Sequence, residues 1–72
     1  MKVYVYRLRY RFRNRRFSEE GYGIYENYRT LTPLEEVSDE VLRQIEKEIS
    51  FERRHDSVEI SCYRPIGIIT FS

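Results

Sequence analysis

Apolar and polar residues alternate with period two from Lys2 to Asn14. Tyr4, Tyr6, Leu8, Tyr10 and Phe12 share one parity, and Val3, Val5, Arg7, Arg9, Arg11 and Arg13 share the other. Successive side chains of a strand point to opposite faces, so this run predicts one long strand with an aromatic face and an arginine face. A helix would scatter both sets around its axis. After the polar stretch Asn14 to Glu20, the segment Gly21-Tyr22-Gly23-Ile24-Tyr25-Glu26-Asn27-Tyr28-Arg29 predicts a second strand, antiparallel to the first. The hairpin register stays open. A two-residue turn at Asn14-Arg15 pairs Phe12 with Phe17 and Arg9 with Glu20, whereas a turn one residue longer pairs Leu8 with Tyr22 and Tyr6 with Ile24. A one-residue slip reverses a strand's faces. Gly21 and Gly23 mark either a bulge or a place where aromatic rings from the first strand lie across the backbone.

Helix start signals come twice, at Thr32-Pro33-Leu34-Glu35 and at Ser38-Asp39-Glu40. Ser38 is the favoured cap of the main helix, with Leu34 and Val37 in a preceding turn; a single helix over 33–50 is the alternative. Val41, Leu42, Ile45 and Ile49 recur every three or four residues and form its apolar stripe. A charged connection, 51–57, leads to a third alternating run, Val58 to Tyr63. Pro65 lacks an amide donor, so residues 66–71 form either a fourth strand after a turn or the continuation of a bent edge strand. The predicted fold is α+β: a small antiparallel sheet of three or four strands, ββαβ with ββαββ preferred, and one helix on one face.

Seventy-two residues make a single domain, 1–72. No apolar run approaches the roughly 20 residues that span a bilayer, and the opening residues are too charged and aromatic for a signal peptide. With a single Cys, the expectation is a reducing, cytoplasmic setting with no membrane partner. Stability must then come from the core, helix caps or association.

The near balance of 13 Lys and Arg against 12 Asp and Glu hides an asymmetry. Lys2, Arg7, Arg9, Arg11, Arg13, Arg15 and Arg16 precede the first acid, Glu19. Eleven of the 13 cations are Arg, whose planar donor fork suits phosphates, carboxylates and aromatic faces. The absence of Ala, with plentiful Tyr, Ile, Glu and Arg and few Asn and Gln, is compatible with a thermophile or with strong genomic base bias.

Arg7, Arg9, Arg11 and Arg13 should stand on one face at intervals of roughly 6.6 to 6.8 Å, near the phosphate spacing of an extended single strand. Guanidinium groups are not buried without partners, so this face is expected to be wet or to meet an anion, with the helix on the aromatic side. The candidate nucleic-acid contacts are Arg7, Arg9, Arg11, Arg13, Arg15 and Arg16, with Tyr25 stacking on a base; Tyr22 or Tyr28 takes that place under the other register. The plainer reading is a solvated face partly offset by Glu19, Glu20, Glu26 or Glu59. An alternative partner is an acidic protein surface, met by an interaction or inhibitor module of the kind compact viral and mobile-element proteins supply, since Arg and Tyr dominate protein interfaces. A homodimer through an edge strand is a third possibility.

His55 and Cys62 are single copies, too few for a zinc site. Parity places Cys62 with Val58 and Ile60 as a buried small hydrophobe, and His55 reads as an exposed loop residue. With no phosphate loop, paired-carboxylate cleft or cofactor motif, the chain reads as a non-enzymatic binding protein without metal or cofactor.

Overall fold

The first strand is the axis of the molecule. In the computed structural model, which describes residues 1–72, β1 (Lys2–Asn14) lies between β2 (Glu19–Thr30) and β3 (Ser57–Thr70), antiparallel to both. The helix α1 (Asp39–Arg53) connects β2 to β3 across one face. The sheet therefore has three strands in the order β2-β1-β3 and the topology is ββαβ. Of the two expectations for residues 66–71, the preferred separate fourth strand does not form; they continue a bent edge strand, β3, through Thr70. Pro65 is accommodated because β3 is an edge strand, where one side of the backbone needs no ladder partner.

Neither expected hairpin register occurs. A single turn of 3-10 helix, Arg15–Phe17, followed by Ser18 in the left-handed region (φ 49°), makes a wider connection. It pairs Asn14 with Glu19, Arg13 with Glu20 and Leu8 with Tyr25. Three one-residue bulges then bend the sheet. Glu26 and Asn27 together oppose Arg7, and Asn27 adopts φ 57°, a conformation Asn tolerates better than most residues. On β3, Ser61 and Ile66 are the extra residues, beside the pairs Arg9–Cys62 and Val5–Gly67.

The glycines of β2 make room for rings. The Tyr10 ring lies over Gly23 so closely that a Cβ there would collide with it, and Phe12 similarly covers Gly21.

Ser38 caps α1, its Oγ accepting from the Val41 amide, with Asp39 and Glu40 in the first turn where the helix dipole favours acids. The preceding turn is a separate 3-10 segment, Leu34–Glu36. Together they lay Leu34, Ile45 and Ile49 on Tyr6, Leu8 and Tyr10, and these six buried side chains form one cluster under the helix; Val5, the seventh buried residue, lies on the other face of β1. Leu42, Val58, Ile60 and Tyr63 pack around it, and Val41 stays exposed.

Tyr6 joins the layers chemically as well. Its hydroxyl donates to Glu35 Oε2 (2.7 Å) and accepts from the Leu34 amide (3.0 Å). Burial first, then the bond to Glu35, pushes this phenol above its ordinary value. At the other end His55 is half-buried rather than an open loop residue. Its ring stacks on Phe12 (4.1 Å, 9°), and its Nδ1 lies 3.2 Å from Asn14 Oδ1. Asp56 completes the clamp by accepting from the Arg15 amide (2.6 Å).

The molecule measures 47 × 21 × 18 Å, while a helix of 15 residues is about 22 Å long. The helix therefore covers only about half of one face, and the opposite face has no covering layer.

Candidate nucleic-acid interface

Strand register determines what shares the uncovered face, because residues directly opposite in a ladder point the same way. Arg7, Arg9, Arg11 and Arg13 of β1 stand in one row on it and are all exposed. Their neighbours on β2 are Glu20, Tyr22, Ile24, Glu26 and Arg29, and on β3 Ser57, Glu59, Cys62 and Arg64. Six guanidinium groups thus face three carboxylates. Arg15 and Arg16 lie in the exposed turn beyond Asn14, where the Arg16 guanidinium sits 5.6 Å from the centre of the Phe17 ring.

The row is partly neutralised within the molecule. Arg7 Nε lies 3.0 Å from Glu26 Oε1. Glu20 serves two cations, 2.9 Å from Arg13 and 3.8 Å from Arg11. All these side chains are about half exposed, and pairs so placed stabilise a fold by about 0 to 1 kcal/mol each. An incoming anion therefore meets little resistance in displacing the carboxylates. Arg9, at the centre, forms no such ion pair. Its neighbours are Ile24 and Cys62 across the two ladders. Two shallow depressions meet at it, one extending toward Tyr22 and Ser61, the other toward Arg7 and Arg64.

Tyr25 does not reach this face. It opposes Leu8, and its hydroxyl donates to Glu52 Oε2 on α1 (2.8 Å). The Arg53 guanidinium lies 5.0 Å from the centre of its ring. The bond to Glu52, followed by burial, pushes its phenol upward. Tyr28 also turns to the helix face, because the Asn27 bulge restores its alignment with Tyr25; the two rings meet edge to face at 5.9 Å, and burial raises the Tyr28 phenol. Tyr22 is the aromatic on the arginine face, opposite Arg11 and 71% exposed.

Cys62 is likewise on the open face and exposed, not buried with Val58 and Ile60. The extra residue at Ser61 inverts the alternation, and that bulge also turns the Ile60 amide to donate to Glu46 Oε2 of α1 (2.7 Å). Arg29 and Arg64 join the face although the sequence pattern does not single them out. Asn27, a residue type at home at positive φ, is the one readable signal for the shift that brings Arg29 there.

Nowhere do three or more His, Cys, Asp or Glu side chains converge as metal ligands would. No helix is long and apolar enough to cross a membrane. No protein-family model, curated protein sequence or solved structure matches the chain.

Proposed function

We propose that the protein binds nucleic acid, laying the uncovered sheet face along a single strand. The row Arg7–Arg9–Arg11–Arg13 takes the phosphates, and Tyr22 stacks on a base. The observation that carries this reading is Arg9: a central guanidinium free of carboxylates, flanked by three more cations at strand spacing and by an exposed tyrosine on the next strand. Such a pairing of cationic track and aromatic platform binds single strands with little sequence preference. The carboxylates of Glu20 and Glu26 hold the neighbouring arginines extended over the face until a phosphate takes their place.

The test is fluorescence anisotropy with a labelled oligonucleotide over a range of salt. Arg9→Ala should lower the slope of log K against log salt by about 0.7 to 1. Tyr22→Ala should weaken binding by about 1–3 kcal/mol, roughly 5- to 150-fold. Glu20→Gln, which releases Arg11 and Arg13, should tighten it. Failure of the wild-type protein to bind either single- or double-stranded nucleic acid at low salt sinks the proposal. A protein complex that survives nuclease treatment would instead assign the same arginines to an acidic protein partner.

A further inference from the structure

The two outer edges of the sheet are unlike each other. The β2 edge carries Glu19, Glu20, Glu26 and Arg29 and is broken by the Asn27 bulge, the usual devices that keep an edge from pairing with another chain. The first half of β3 is occupied by the helix, whose Glu46 takes the Ile60 amide. In the second half such devices are confined to its start, at Pro65 and the Ile66 bulge, and no charged side chain or helix follows them. From Pro65 to Phe71 there is no charged residue, no strand lies outside it, and Ile66, Ile68 and Phe71 are exposed, Ile68 by 60%.

We infer that this segment pairs with the same segment of a second copy, making a homodimer with one continuous six-stranded sheet. The occupant follows from geometry and charge. Two identical edges placed antiparallel are related by a two-fold axis normal to the sheet, since only that rotation reverses strand direction and returns the same edge against itself. Pairing centred on Ile68 sets Arg64 opposite Ser72 of the other copy, so no like charges meet. The helix poses no obstacle, because it packs on the first half of β3 and the antiparallel copy carries its own helix away beyond the paired segment. Ile68 then lies beside its counterpart, next to Tyr4, on the stretch of the helix face that α1 leaves bare.

The same symmetry keeps both helices on one side and both arginine rows on the other. The rows run outward from the axis in opposite directions along a single face. The dimer stands on the β3 edge alone and does not depend on what the arginines bind. A paired segment of about seven residues is roughly 23 Å long. It buries less than the roughly 800 Å² per partner of a standard interface, so the dimer should dissociate on dilution through the micromolar range.

Sedimentation equilibrium from about 5 to 500 µM tests this without nucleic acid. The expected mass rises from the chain's 8.9 kDa toward twice that value. Ile68→Lys, which sets two ammonium groups side by side, should hold the mass at one chain throughout while the circular dichroism stays native. In a Cys62→Ser background, Ile68→Cys should form an intermolecular disulfide under mild oxidation, since directly opposed antiparallel residues lie about 4.5–5.5 Å apart at Cα. A single-chain mass at every concentration overturns the inference. So does a dimer that Ile68→Lys leaves intact and Ile68→Cys fails to cross-link.

Discussion

Removing one hydroxyl should loosen the contact between sheet and covering layer. In Tyr6→Phe the ring stays in the core, but the Leu34 amide loses its acceptor and Glu35 loses its donor. Glu35 is exposed and regains water. Leu34 is only 2% exposed, and an unsatisfied buried amide costs about 1–3 kcal/mol. Taking about 2 kcal/mol, the melting temperature should fall by about 8–16 °C. Glu35→Gln keeps the amide's acceptor and should cost under about 1 kcal/mol. The pH dependence adds a second signature. The unfolded phenol titrates at the ordinary 10.0, whereas folded Tyr6 holds its proton to higher pH. Its contribution is therefore complete below about pH 10 and is lost as pH rises through the folded value. Urea titrations at pH 7 and across the alkaline range measure both effects. If Tyr6→Phe unfolds within about 0.5 kcal/mol of the wild type at neutral pH, within the usual effect of a neutral surface change, the hydroxyl bridge has been misjudged.

Packing and accessibility set two more outcomes. Gly23→Ala puts a methyl into the Tyr10 ring and should destabilise by about 1–3 kcal/mol. Gly67→Ala meets nothing within 4 Å and has no positive φ, so it should leave stability unchanged or raise it by up to about 1 kcal/mol. Equal losses at both sites in thermal melts would contradict the ring-over-glycine account. Cys62 should react with a thiol reagent in the native state at a rate within about tenfold of the unfolded chain. Under the function proposed above, a bulky label there also weakens oligonucleotide binding, because the thiol lies across the ladder from Arg9. Protection of the thiol until the protein unfolds would refute its place on the open face.

Where alternation runs unbroken, the structure is legible. β1 spans Lys2 to Asn14 as the period-two pattern predicts, its arginines share one face, and Ser38 caps the helix after a separate turn. The glycines opposite Phe12 and Tyr10 signal rings lying across the backbone. The remainder is lost at insertions of one residue. Parity can be counted only between bulges, and the additional residues at Asn27, Ser61 and Ile66 each reset it. That is why Tyr28 turns inward and Cys62 outward. Tyr25 departs from expectation for a related reason: whether it or Tyr22 faces the arginines depends on the length of the turn, and Arg15–Phe17 forms a helical turn longer than either tight hairpin. Glu20 and Glu26 are among the four acids the sequence offers as offsets, but which arginine each one meets depends on that register.

The cluster under the helix ends at Tyr6, yet the sheet continues past it to Lys2, and just beyond, Met1 and Phe71 exchange backbone hydrogen bonds. Cohesion must therefore decline along the long axis. Amides near Leu8 and Tyr10 should exchange with solvent deuterium only through global unfolding, while those near Val3 and Ile69 open through local fraying that leaves the helix seated. The molecule is anchored at one end and yielding at the other, so mechanical or proteolytic attack on the chain would begin at the yielding end.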